Sequence, residues 1–278
     1  MERIYDFVKS QDFEIFGFCK FSNDLVKFET KNKALIPQNA KSIITFLFPY
    51  NIDFKGERNV SLYCIGKDYH TIIKDKLDTL CQKLSEKFPQ NTFCSFCDVS
   101  PIDEVRAAYL SGLGVLGKNS LLINQKYGSY CFIGEIVTDL ELTGKSFPLG
   151  FCINCGKCSD ACFSNALKST DGEVFFVDTS LCLSFLTQSK KELTQNEKNL
   201  IKKGGLVWGC DLCQISCPLN SKAEKSPIKE FFNSLQPKIT EESLNSSVKD
   251  RAYGYKGKNI LKRNLCIIEE KSVNTTDK

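Results

Sequence analysis

The placement of the cysteines constrains this chain more than any other feature. Fifteen occur in 278 residues, and eight of them fall in tight groups between Cys152 and Cys217. Cys152, Cys155, Cys158 and Cys162 are separated by two, two and three residues, and Cys210, Cys213 and Cys217-Pro218 repeat most of that run. Such spacings turn successive thiolates onto the corners of one iron–sulfur cubane, and the last cysteine of each run points at the neighbouring cluster. By that rule Cys152, Cys155 and Cys158 take Cys217 as their fourth ligand, while Cys162 joins Cys210 and Cys213. Cys182, in the intervening segment, completes the second set, so eight thiolates close two [4Fe–4S] clusters without remainder.

This is the spacing of bacterial ferredoxins, and a chain that carries it moves single electrons. Phe163 stands where the simple run has a proline, a detail of turn rigidity. Paired zinc knuckles built from C-x2-C would leave the x2-x2-x3 run unexplained. The N-terminal MERIYDFVKSQDFEIFGFCK has no apolar run before a small-residue cleavage site and no twin arginine, so a cytoplasmic location is expected. That compartment is reducing, which argues against a disulfide framework. No stretch approaches the ~20 apolar residues of a membrane span. The other seven cysteines, Cys19, Cys64, Cys81, Cys94, Cys97, Cys131 and Cys266, are dispersed and read as buried thiols.

A length of 278 residues at 42% hydrophobic suffices for one sizeable core and a satellite domain. The formal charge of +4 permits an anionic partner without calling for one. Residues 1–145 read as a mixed α/β (α+β) domain. Helices are expected near Ile4 to Ser10, Lys67 to Phe88 and Glu104 to Ser111, and strands at Ile15 to Cys19, Ser42 to Pro49 and Thr92 to Cys97. Ser120 to Asn124 and Tyr130 to Thr138 flank a Tyr-Gly-Ser turn like two strands of a hairpin. A linker with Gly144, Pro148 and Gly150 leads into the cluster module, placed at residues 146–222. Residues 223–278 read as a polar helical tail ending in a frayed KSVNTTDK.

Gly112-Leu-Gly114-Val-Leu-Gly117 matches G-x-G-x-x-G, but a dinucleotide fingerprint needs a strand entering and a helix leaving. Here a helix enters, so Gly112 reads as its C-terminal cap. His70 is the one histidine, which excludes chemistry that needs a pair of histidines within one chain. Asp68-Tyr-His70 comes close to the D-x-H-x-x-G with which some proteins give histidine to cobalt. It lacks the glycine and opens an amphipathic helix, so His70 is expected to be structural.

Several stretches occur in a fixed order: Gly66-Lys-Asp68-Tyr-His70, Cys97-Asp98-Val-Ser-Pro101, AAYLSGLGVLGKN from Ala107 to Asn119, Gly128-Ser-Tyr130, Cys182-Leu-Ser-Phe-Leu-Thr-Gln188, Gly209-Cys-Asp-Leu-Cys-Gln214 and Arg263-Asn264. Together, from about residue 30 to residue 265, they resemble the epoxyqueuosine reductases. The resemblance implies an N-terminal cobalamin-binding catalytic domain joined to the ferredoxin-like module. It also implies an oxidoreductase that removes the epoxide oxygen from epoxyqueuosine at the wobble position of tRNA. Asp98 matches the family's proton donor, and among Phe93, Phe96 and Pro101 low polarity is expected to keep it protonated. Ser61, Asp98, Leu122 and Ile133 match positions that line the corrinoid, and Ser184 and Asp211 positions near its other side. Gln188 and Lys190 fall where the family meets tRNA.

The sequence departs from the family in places. Thr30, with Lys31 beside it, stands where relatives place an arginine against cobalamin, and Val105 occupies another position often held by arginine. The helical-repeat extension that some members use against tRNA does not follow Arg263, and Lys256, Lys258, Lys262 and Arg263 are candidates to contact phosphate instead. The implied partners are tRNA and an external low-potential electron donor, with the chain a monomer. The rival readings are a corrinoid reductive dehalogenase and a non-catalytic ferredoxin-type electron carrier.

Overall fold

The computed structural model describes residues 2–28, 31–52, 54–142, 144, 150–170, 174–245 and 248–269. Thr30, Pro148 of the expected linker and the terminal KSVNTTDK lie outside these residues. The first part of the chain runs α1 (Glu2–Lys9), β1 (Phe16–Lys20), β2 (Ser42–Pro49), α2 (Tyr69–Lys87), β3 (Phe93–Cys97), α3 (Glu104–Leu110), β4 (Val115–Leu116), β5 (Leu122–Ile123) and β6 (Cys131–Thr138). Four strands form one antiparallel sheet in the order β1-β2-β6-β3.

Both faces of this sheet are covered, which is why β2 (SIITFLFP) is buried along its whole length instead of alternating with polar residues. Ile44, Phe46 and Phe48 pack with Ile73, Leu77, Leu80 and Leu84 of α2. Those four recur at helical spacing, and burying each stabilises by roughly 1.5–3 kcal/mol. Gly134 of β6 permits the close approach, since a Cβ there would lie 2.7 Å from Leu77. On the other face Leu47 packs with Ala108 and Tyr109 of α3.

Two local features fix the ends of α2 and α3. Asp68 caps α2 by accepting from the His70 backbone N–H at 3.0 Å, and Asp103 caps α3 by accepting from Arg106 at 3.1 Å. After α3 the chain leaves through Gly112 at φ 75°, whose N–H reaches the Tyr109 carbonyl. The glycine-rich motif is therefore a helix exit into a small β4–β5 ladder.

The expected hairpin between Ser120–Asn124 and Tyr130–Thr138 does not form. Leu122 pairs with Leu116, and β6 is instead the second central strand, between β2 and β3. Asn124 is responsible: its side chain accepts from the N–H groups of Lys126 and Tyr127 and donates to the Leu113 carbonyl. That knots a tight turn back onto Gly128 and frees the following strand to find partners elsewhere.

The second part contains α4 (Lys157–Ala161), β7 (Leu167–Thr170), β8 (Val174–Val177), α5 (Leu183–Gln188), α6 (Gln195–Gly204) and α7 (Leu212–Ile215), then α8 (Glu241–Asn245) and α9 (Lys258–Glu269). β7 and β8 form a separate two-stranded ladder. The last residues are not peripheral, since Tyr253, Ile260, Leu261 and Leu265 share one core with Ile4, Leu77 and the fully buried Trp208. Asn264, fully buried, donates to the carbonyls of Thr187 and Val207 and so ties α9 to the cluster module.

Candidate functional site

Asp98 leaves the end of β3 in the left-handed region, at φ 61°, a conformation that strains any residue with a Cβ and is retained where a side chain must be aimed. Here it aims the carboxyl back at the start of α2. Tyr69 donates to Oδ1 at 3.1 Å, and His70 Nε2 meets Oδ2 at 3.1 Å. The other ring nitrogen of His70 lies 2.6 Å from Asp68 Oδ1. The Tyr69 ring stacks on Phe132 of β6, with centroids 3.7 Å apart, and on the His70 ring.

These contacts set the charges. Burial disfavours an imidazolium, but the hydrogen bonds to Asp68 and Asp98 outweigh it and raise the His70 pKa to about 9. The same His70 contact, opposed by burial, holds the Asp98 carboxyl below its usual range. The expected protonated Asp98 is therefore corrected: apolar neighbours are present, but a cation at hydrogen-bond distance decides the outcome. The proton of the pair resides on His70. With both nitrogens engaged by carboxylates, His70 is not free to serve as a metal ligand.

Asp98 and His70 line a cavity of about 380 Å³ that Cys162, Cys182, Cys210 and Cys213 line as well. Tyr50, Tyr63, Phe132, Phe163 and Leu212 give it a largely apolar lining. These four thiols are close neighbours: burial first, then Cys210, Cys182 and Cys162, push the Cys213 thiol up to about 12. A second, small cavity is lined by Cys152, Cys155, Cys158 and Cys217. Of these eight cysteines, four therefore line each of two separate cavities. Among the described residues no three metal-ligating side chains converge on a single ion. Thiols set around a space suit the separated corners of a cubane.

The remaining expected residues are distributed unevenly. Ser184 and Gln188 line the main cavity. Leu122 and Ile133 line a smaller chamber of about 120 Å³ that shares Asp98, Tyr69 and Phe132 with it, and Val105 lies there too. Ser61 and Asp211 are brought together, but with each other. Both are buried, Ser61 donates to Asp211, and Arg58 Nη1 lies 2.6 Å from Asp211 Oδ2. Gly209, at φ 74°, lets this loop close on Ser61, since a Cβ there would stand 2.4 Å from the Ser61 Cβ. Lys190 is exposed and does not line the cavity; it follows Ser189, whose carbonyl accepts from Arg263.

Sequence reasoning missed Tyr69 as a partner of Asp98, and it missed the buried network in which Gln214 donates to Tyr50 and Ser129 on the cavity floor. It also missed Phe185 and Tyr255, 55% and 63% exposed, at the rim. Only contacts across the fold reveal these roles.

A sheet domain whose hydrogen-bonded carboxylate–imidazole pair shares a cavity with four clustered thiols defines an iron–sulfur oxidoreductase. Residues 151–220 match the 4Fe-4S double cluster binding domain, and residues 31–99 match the family described as Epoxyqueuosine reductase QueG, DUF1730. The epoxyqueuosine reductase of Leadbetterella byssophila is 34% identical over 241 residues, covering 83% of this chain and 78% of that one. The structure of epoxyqueuosine reductase from Streptococcus thermophilus superposes with a TM-score of 0.79 at 27% identity, covering 96% of this chain and 80% of that chain. An epoxyqueuosine reductase solved with an epoxyqueuosine-modified tRNA-Tyr stem loop has the same fold, with a TM-score of 0.78 at 24% identity and the same coverage. The chain belongs to the epoxyqueuosine reductase family.

Proposed function

We propose that this protein reduces epoxyqueuosine to queuosine in tRNA, with Asp98 and His70 serving the epoxide oxygen and two [4Fe–4S] clusters delivering the electrons. The observation that carries the reading is a single cavity lined by both the Asp98–His70 pair and Cys162, Cys182, Cys210 and Cys213. Cys152, Cys155, Cys158 and Cys217 hold the first cluster in this reading, and an external low-potential donor reduces it.

The lining fits a corrinoid. Tyr50, Phe132, Phe163 and Leu212 offer the flat apolar walls that suit a macrocycle, with Leu122 and Ile133 at the chamber beyond Asp98 and Ser184 on the thiol side. Cobalamin, when bound, supplies two-electron reducing chemistry at a single centre. Ser61 and Asp211 support it from behind, because their mutual hydrogen bond holds the loop that carries Cys210 and Cys213 against residues 58–62.

The acid chemistry belongs to the chain's own residues. An epoxide oxygen leaves only when protonated, and general acids contribute about 10²–10⁴-fold. The His70 imidazolium holds a proton one hydrogen bond from Asp98, and Asp98 presents it toward the cavity. Tyr69 fixes the carboxylate by donating to its other oxygen. At the mouth, Phe185 and Tyr255 provide exposed rings of the kind on which unpaired bases stack, and Gln188, Lys190, Lys256 and Lys258 lie nearby in sequence. Arg263 is committed elsewhere, to the carbonyls of Ser189 and Lys191.

The family assignment disfavours a dehalogenase, and the Asp98–His70 pair disfavours a pure electron carrier, which needs no acid. Assaying the cobalamin-supplied protein in parallel on epoxyqueuosine-containing tRNA and on a haloarene separates these readings. Turnover of the tRNA alone is expected; halide release with unchanged tRNA would transfer the protein to the dehalogenases.

A further inference from the structure

Two buried acids on the α3 side of the sheet have no role in the chemistry described so far. Glu135 sits in the middle of β6, opposite Thr45 of β2 and Phe96 of β3. Its side chain faces α3, as do those of its same-face neighbours Ile133 and Val137. It is fully buried, and neither carboxyl oxygen has a partner in full hydrogen-bond geometry among the described residues, although the Ser100 hydroxyl lies close enough to favour its ionised form. Glu104, in the first turn of α3, has a buried Oε2 that likewise lacks a partner. Thr45 presents a fourth unpartnered oxygen on the same side of the sheet.

An ionised carboxylate is not sustained in such surroundings, and a protonated one is. Burial, with Asp98 and Asp103 adding to it against the opposing Lys27, raises Glu104 to about 7. Burial, then Glu104 and Asp103, raises Glu135 further, while Ser100 and Lys27 oppose. The thiols of Cys19 on β1 and Cys97 on β3 flank the pair, both themselves pushed up by burial and by Glu135. These groups approach from β1, β3, α3 and the loops around Lys27 and Ser100, and Lys27 is the cation among them.

Glu104 reaches the candidate site directly, and Glu135 lies close enough to Glu104 to be influenced by it. Glu104 and Asp98 line the same chamber of about 120 Å³, together with Tyr69 and Ser129. A chamber of that volume has room for water between the two carboxyl groups.

We propose that Glu104 and Glu135 form a buried proton relay behind Asp98, returning to the Asp98–His70 pair a proton that each turnover removes. The inference rests on the reductase reading. Converting an epoxide to an alkene and water breaks two C–O bonds, forms one C=C bond and two O–H bonds, and consumes two electrons and two protons. The electrons enter through the clusters. The Asp98–His70 pair stores one proton, and the glutamates supply the second across the chamber. Both glutamates act through Asp98 and are positioning residues, not groups that touch substrate.

Two measurements on the full-length, cluster-loaded protein test this. At a pH of about 6, where ordinary carboxyl groups are ionised, the infrared spectrum should show protonated carboxyl bands, one lost in Glu135→Gln and another in Glu104→Gln. Both substitutions keep the shape and neutrality of the buried acid, so the fold is retained. Turnover of epoxyqueuosine in tRNA should fall about tenfold or more in each, with an altered pH profile, and Glu104→Asp should restore part of it. Wild-type rates and pH profiles in both Gln variants, or the absence of the two bands, would overturn the relay. Wild-type protein that shows both bands yet leaves the tRNA unchanged would instead strike the reductase reading.

Discussion

His70 and Asp98, far apart in sequence, are joined by a hydrogen bond of 3.1 Å from Nε2 to Oδ2. The pair exists because two elements end at the same point: β3 delivers Asp98 in a left-handed turn, and the capped N-terminus of α2 delivers His70. Asp68, which caps the helix, also meets the second ring nitrogen, so one residue both starts α2 and charges its histidine.

The pair predicts an alkaline limit. The folded His70 pKa, about 9, lies above the ordinary value of about 6.5. The stabilisation it contributes is therefore fully present below about pH 6.5 and is lost as pH rises through about 9. Turnover should decline with a midpoint near pH 9, and His70→Gln should abolish that midpoint; a pH–rate profile of both proteins checks it.

Replacing Asp98 by Asn keeps the shape and removes the acid. Cluster content and cofactor retention should be unchanged while turnover falls by about 10²–10⁴-fold. Full activity in Asp98→Asn would remove this residue from the chemistry.

The two thiol groups predict separable losses. Cys182→Ala should abolish the second cluster and spare the first, and Cys155→Ala should do the reverse. Each variant should retain about half the iron, with paramagnetic resonance spectra that differ between the two. Identical spectra from the two variants would contradict the division into two sets.

Arg58 and Asp211 form a buried pair, with side-chain exposures of 17% and 1%. Arg58→Ala leaves a buried carboxylate uncompensated and should cost roughly 3–5 kcal/mol in denaturant unfolding. Disrupting the half-exposed pair of Lys74 and Asp78 should cost less than about 1 kcal/mol, because solvent screens it.

The features legible in the sequence are those with short-range causes. The strand at Ser42–Pro49 and the helix at Tyr69–Lys87 follow from β-branched content and helical spacing, and the grouping of the eight cysteines follows from turn geometry. Gly112 ends its helix as the reversed order of the glycine motif implies. What could not be read depends on partners distant in sequence. The hairpin at Ser120–Asn124 was a plausible local pairing, overridden by the knot at Asn124 and by the pull of β2 on β6. The charge state of Asp98 turned on His70, and local apolarity around Phe93 and Phe96 pointed the other way. Glu135 gave no signal, because a carboxylate inside a strand pattern looks like a solvent-facing residue until both faces of the sheet are seen to be covered.

The central claim is that the Asp98–His70 pair and the clustered thiols act on one epoxide. The most direct measurement is nucleoside mass spectrometry after anaerobic incubation of the reconstituted, cobalamin-supplied protein with epoxyqueuosine-containing tRNA and a low-potential reductant. The account predicts loss of one oxygen mass that requires added cobalamin and disappears in Asp98→Asn. An unchanged nucleoside, with intact clusters and a filled corrinoid site, would contradict it.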